Sequence, residues 1–108
     1  MFFELRKYYI LNGQKDTWIK YMEKVIMPFQ ISKGMVISGT FISKNEKGEE
    51  LYIWLRRFNN QEEKNKLYED VYESEKWKNE IFPPIPKLID RNRTIVTIIE
   101  PTKTSVIR

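Results

Sequence analysis

Apolar and polar positions alternate most clearly between Leu51 and Phe58, where Leu-Tyr-Ile-Trp-Leu-Arg-Arg-Phe sets aliphatic side chains against aromatic and basic ones. In a strand, successive side chains point to opposite faces, so Leu51, Ile53 and Leu55 go one way while Tyr52, Trp54, Arg56 and Phe58 go the other. Both faces need cover. A first strand is predicted over residues 2–11, closed by the turn pair Asn12-Gly13. Phe3, Leu5, Lys7, Tyr9 and Leu11 share one of its faces; Phe2, Glu4, Arg6, Tyr8 and Ile10 share the other. From Asp16, read as an N-cap, the residues Trp18, Met22, Val25 and Phe29 recur at helical spacing with Ile19 and Ile26 widening the stripe, which predicts an amphipathic helix of about four turns. Pro28 is expected to kink or end its regular part, and Gly34 to terminate it.

Residues 35–43 alternate as a second strand, and Asn45-Glu46-Lys47-Gly48 makes a hairpin loop into the third, residues 50–58. Asn60 with Glu63 three residues later signals the cap of a second helix whose buried side carries Lys64, Leu67, Tyr68 and Val71. Ser74 recaps a short helical piece over residues 75–81, with Trp77 and Ile81 inward, and Phe82-Pro83-Pro84 stops it. Residues 94–100 read as the fourth strand, and residues 101–108 as a C-terminal arm, either irregular or added to a sheet edge. The order strand, helix, strand, strand, helix, strand predicts a single domain over residues 1–108 of the α+β class. Its architecture is ferredoxin-like βαββαβ, a four-stranded antiparallel sheet with two helices on one face. The pattern does not decide which face. The uncovered face forgoes roughly 1.5 to 3 kcal/mol for each large apolar side chain left wet. A homodimer through sheet-to-sheet packing is the expected remedy, since a two-fold interface needs only one self-complementary surface.

Composition changes this picture mainly by what is missing. The 108 residues contain no His and no Cys, which closes imidazole or thiolate zinc sites, Ser-His-Asp and Cys-His nucleophile systems, and haem held by a proximal His or Cys. No metal or cofactor is expected. Chemistry, if present, falls to Glu, Asp, Lys, Tyr or Arg. The net charge of +4 would allow a polyanionic partner, but the two signs are interspersed along the chain and a nucleic-acid partner is disfavoured. With neither a signal-peptide core nor a bilayer-spanning apolar run, a cytoplasmic protein without membrane contact is expected.

Two charges inside an apolar strand face mark the candidate site. Glu4, Arg6 and Tyr8 on the first strand and Tyr52, Trp54 and Arg56 on the third lie on neighbouring strands in this topology. Arg6 or Arg56 would hold a carboxylate or enolate, Tyr8 would donate to a developing oxyanion, and Glu4 would take a proton if burial raised its pKa. Tyr52 and Trp54, with Trp18, Met22 and Phe29 from the helix, would wall the pocket. A competing structural reading makes Glu4, Arg6 and Arg56 a cross-strand ion network and the aromatics ordinary core, which is the commoner outcome. Arg57, on the reverse face, is expected to reach a chain end or a partner subunit. The topology also invites comparison with RNA-recognition domains, whose first- and third-strand aromatics stack bases, with Tyr8, Tyr52, Trp54 and Phe58 in that role. Against it, the Gly-containing signature of the third strand is missing.

Several stretches together carry a family resemblance. They are Phe2-Phe3-Glu4-Leu5-Arg6 with Tyr8 and Asn12-Gly13, Pro28-Phe29-Gln30 through Lys33-Gly34-Met35-Val36, Trp54-Leu55-Arg56-Arg57-Phe58, Tyr72-Glu73-Ser74-Glu75-Lys76-Trp77, and Leu88-Ile89-Asp90-Arg91 with Pro101-Thr102. In order and spacing the chain resembles the NIPSNAP family over nearly its whole length. The resemblance implies a ferredoxin-like subunit pairing into a dimeric α/β barrel, with a pocket between sheet and helices. It implies no settled activity: the wider superfamily includes cofactor-independent monooxygenases, polyketide cyclases, muconolactone-type isomerases and haem degraders. The last use an axial His that this chain lacks. A non-catalytic interaction or scaffold role, as in some eukaryotic relatives, is the other implied class, and a shared fold does not choose between them.

Overall fold

The computed structural model describes residues 1–108. Its strands are β1 (Phe2–Ile10), β2 (Val36–Lys44), β3 (Glu50–Phe58) and β4 (Ile89–Ile99), arranged antiparallel in the order β2-β3-β1-β4. The ferredoxin-like expectation therefore holds, and the strand carrying Glu4 and Arg6 is central. Register places Glu4 opposite Arg56, Arg6 opposite Trp54 and Tyr8 opposite Tyr52, so the residues singled out in the sequence share one face.

That face meets the helices. Tyr52, Trp54, Arg56 and Phe58 are all at most 1% exposed, because helical cover removes the bulkiest side chains of the sheet from water. α1 (Lys15–Tyr21), a π-helical stretch (Met22–Ile26) and α2 (Met27–Ser32) run on as one long helix. Pro28 does not end it. In a regular helix the Pro28 ring would collide with the carbonyl of Lys24, and its missing N–H would leave that acceptor idle. The wider π turn, in which the Met27 amide donates to the Met22 carbonyl, absorbs the misfit.

The π turn also changes which residues face the sheet. At about 100° per residue, positions four apart drift by roughly 40° at each step, so Trp18 and Gln30 would lie about 120° apart on a regular helix. The wider turn reverses part of that drift and brings Trp18, Met22, Ile26 and Gln30 onto one buried row. Val25, expected inward, is exposed, and Phe29 is only half-buried. Asp16 is not the N-cap: Gln14 takes that place without a side-chain cap, and Asp16 sits in the first turn, where a carboxylate favours the helix dipole.

α3 (Gln61–Tyr72) starts as predicted, with Asn60 Oδ1 accepting from the Glu63 amide at 2.8 Å and the Glu63 carboxylate accepting from the Asn59 amide at 3.1 Å. Ser74 Oγ accepts from the Trp77 amide at 3.2 Å and opens a second π turn, Trp77–Ile81. β4 begins at Ile89 rather than Thr94. Asp90, Arg91, Asn92 and Arg93 hide its start, since on an edge strand beside an irregularity in the β1–β4 register they have no core face to advertise. Residues 100–108 form an irregular arm, not an added strand. Its last carbonyl, at Arg108, accepts from Arg57 Nη1 at 3.1 Å, so Arg57 does reach a chain end.

The opposite face of the sheet has no helices. Val36, Phe41, Ile95 and Ile99, in register with Arg57, Ile53, Lys7 and Phe3, are 39 to 52% exposed there.

Candidate functional site

The site begins with a single carboxylate. Glu4 lies near the start of β1, an inner strand of the sheet, where α3 sends down Lys64, Tyr68 and Tyr72, four residues apart on one helical stripe. Glu4 accepts from Arg56 Nη2 at 2.6 Å and Nε at 3.1 Å, from the Tyr68 hydroxyl at 2.7 and 2.8 Å, and from Lys64 Nζ at 2.8 Å. Arg6 Nη1 stands 3.6 Å away. Burial alone would raise the Glu4 carboxyl, but Arg56 together with hydrogen bonds from Lys64 and Tyr68 overrides it and holds the group at about 2. Glu4 is thus no proton acceptor near neutral pH. The condition under which it would have been a base, an upward shift, is reversed because three cations converge on one anion.

Arg56 spends its donors in the same network. Besides Glu4, its guanidinium donates to Tyr68 at 2.6 Å, to the Tyr72 hydroxyl and to Met35 Sδ. Burial opposes its charge, yet Tyr72, Tyr68 and Glu4 outweigh that and drive its pKa upward. Tyr68 and Tyr72 are both pushed up, chiefly by burial, so neither supplies a phenolate near neutral pH.

Beside this network lies a cavity of about 310 Å³ between sheet and helices. Of the candidate residues, Arg6, Tyr8, Trp18, Met22, Trp54 and Arg56 line it. Glu4, Tyr52 and Phe29 do not: Glu4 is screened by its partners, Tyr52 packs edge-on against Trp18, and Phe29 has rotated off the buried row. Burial pushes the Tyr52 phenol up to about 12, which keeps it a neutral core residue. Gln30, Tyr68, Tyr72, Trp77, Arg91 and Thr94 add to the polar and aromatic wall, and Phe82 and three isoleucines close the rest. Of these, the sequence reading had placed Tyr68 and Trp77 inward but assigned them no part in the site. Stripe spacing on α3 points to Tyr72, whereas Gln30 has no such signal, because it joins the buried row only through the π turn.

Three features set the chemistry of the wall. It contains three arginines and no Asp or Glu. Arg6 donates from Nε to the Tyr8 hydroxyl at 2.8 Å and from Nη1 to Tyr68 at 3.5 Å, leaving Nη2 without a protein partner. Trp18, Trp54 and Trp77, the only tryptophans of the chain, all line it. The aromatic platform needed for RNA stacking is absent from solvent, since Tyr8, Tyr52, Trp54 and Phe58 are buried beneath the helices.

Fold and cavity together define a ferredoxin-like α+β protein with a partly open cavity between sheet and helices. No family profile and no curated protein matches the chain, but solved structures do. Atu4242 from Agrobacterium tumefaciens is 24% identical with full coverage of both chains (100% each) and a TM-score of 0.82; a second structure of it is described as a NIPSNAP family protein with unknown function. A NIPSNAP domain protein from Burkholderia xenovorans is 13% identical over 96% of this chain and 97% of its own, with a TM-score of 0.80. The NIPSNAP family protein Atu5224 from A. tumefaciens is 19% identical over 99% and 98%, with a TM-score of 0.79. The chain has the NIPSNAP fold. No helix is long and apolar enough to cross a membrane.

Proposed function

We propose that this chain is a NIPSNAP-family protein that binds a small anionic ligand with an aromatic or apolar body, as a cytoplasmic homodimer of the dimeric α/β-barrel type. The charge balance around the cavity carries the reading. Arg6, Arg56 and Lys64 converge on one carboxylate, and the two neighbouring tyrosines stay neutral, which leaves an unbalanced positive charge beside an apolar chamber. Uncompensated charge out of water is costly, and an anion in the cavity relieves it. Chemistry of monooxygenase or isomerase type would draw on the same donors to stabilise an enolate, with no carboxylate base on the wall.

Replacing Arg6 by Met tests the binding reading. Arg6 touches Glu4 only at 3.6 Å and gives up chiefly its 2.8 Å hydrogen bond to Tyr8, so stability should fall by about 1 to 2 kcal/mol, while affinity for a small aromatic anion should fall at least about tenfold. Calorimetric titration together with urea unfolding separates the two effects. Lost stability with unchanged affinity would mean that the arginine is structural.

The apolar open face supports the homodimer. Phe41, 52% exposed, sits on that face opposite Ile53. Sedimentation should show a dimer at micromolar concentration and a monomer for Phe41→Lys; a wild-type monomer would refute the pairing.

A further inference from the structure

The break in register between β1 and β4 shapes one side of the cavity. Residues 91–94 oppose the single residue Tyr8, since Asp90 still pairs with Tyr9 and Ile95 already pairs with Lys7. Extra residues on one strand re-aim its side chains. Arg93 goes to the face away from the helices, with its Cζ 3.6 Å from the Tyr9 ring centroid and its guanidinium on Glu49. Arg91 and Thr94 go to the cavity wall.

Arg91 stands apart from the other arginines. Arg6 and Arg56 donate within the Glu4 network, Arg57 to the Arg108 carbonyl, Arg93 to Glu49 and Arg108 to the Lys103 carbonyl. Arg91 donates to no protein atom; Asp90 beside it accepts from the Asn92 amide at 3.2 Å and forms no ion pair with it. Its guanidinium instead packs over Phe82, another wall residue, with Cζ 4.7 Å from the ring centroid. That contact steadies the group and consumes none of its N–H donors. On a wall without Asp or Glu, Arg91 therefore presents a whole edge of two parallel N–H groups, the arrangement that matches a carboxylate.

Resting on the anionic-ligand reading above, we propose that Arg91 selects the ligand's charged group, a carboxylate gripped at the rim of the cavity, with the apolar body lying inward against the tryptophans. Arg91 is exposed and yet lines the cavity, which puts it at the opening. A charge held there stays partly solvated while the body leaves water, the less costly way to bind an anion. Arg6, bonded to Tyr8 on the adjacent strand, adds its charge to the same side.

4-Nitrobenzoate and 4-nitrobenzamide test the assignment, because they share size and shape and differ in charge. The cavity, about 310 Å³, has room for roughly ten water-sized groups at about 30 Å³ each, and binding is read by quenching of the cavity tryptophans. The parent should prefer the carboxylate at least about tenfold. Arg91→Met should bring the two ligands to within about threefold of each other, and Arg91→Lys should keep part of the preference, because an ammonium lacks the paired edge. Urea midpoints of both variants should stay near the parent's, since Arg91 bonds to nothing in the protein. A preference still near tenfold in Arg91→Met, or tighter binding of 4-nitrophenolate than of 4-nitrobenzoate to the parent under mildly alkaline conditions, overturns the role given to Arg91 and leaves the anionic-ligand reading standing. If the amide binds the parent as well as the carboxylate, or none of the three binds, both fall.

Discussion

Glu4→Gln will lower the free energy of unfolding by about 3 to 5 kcal/mol at neutral pH, the usual cost of removing one member of a buried charged cluster. The substitution keeps the size of the side chain and one acceptor oxygen, so the loss reports charge rather than packing. Arg56 is completely buried and would face Lys64 and Arg6 with no anion between them. Arg56→Met should cost less, about 2 to 3 kcal/mol, because Glu4 then keeps Lys64 at 2.8 Å and loses mainly charged hydrogen bonds. Against a total of roughly 5 to 15 kcal/mol for a domain of this kind, both shifts are easily resolved by urea unfolding. A Glu4→Gln variant within about 1 kcal/mol of the parent, or the reverse order of the two variants, would show that solvent rather than Glu4 balances these cations.

The residues of this cluster that could be seen in the sequence were those breaking a pattern. Glu4 and Arg6 interrupt an apolar strand face, and Arg56 interrupts an aromatic one; the βαββαβ order then makes their strands neighbours, and the register confirms Glu4 opposite Arg56. Glu4 and Arg56 bond to each other across the strands, and Arg6, Tyr8 and Arg56 lie on the cavity wall.

Other features escaped for physical reasons. The π turn at Met22–Ile26 has no local signature except Pro28 just beyond it, and without the turn the stripe reads as Val25 and Phe29 instead of Ile26 and Gln30. Tyr72 looks like an ordinary helix residue until α3 is laid over Arg56. The depressed pKa of Glu4 required the directions of Lys64 and Tyr68, which only tertiary packing supplies. The face under the helices was likewise undecided by alternation alone, since both faces of β3 carry large side chains.

Acid will dissect the same balance without mutation. The folded state holds the Glu4 carboxyl at about 2 against an ordinary value of 4.5. A depressed carboxyl pKa stabilises the fold above the unfolded-state value, and the contribution is lost as pH falls toward the folded-state value. The window therefore runs from about pH 4.5 down to about 2, and the shift corresponds to about 3 kcal/mol for this buried group. Glu49 is also held at about 2, by hydrogen bonds from Arg93 and Asn45, so the raw stability of the parent mixes two carboxylates. Subtracting Glu4→Gln removes that complication, because Glu49 titrates alike in both proteins. The difference in unfolding free energy between parent and variant should be constant from pH 7 to about 5, shrink as acid is added, and be largely gone near pH 2, where the protonated parent resembles its amide. A difference that stays flat across the window would mean that Glu4 titrates alike in the folded and unfolded chains, and that the three cations around it are held by something other than its charge.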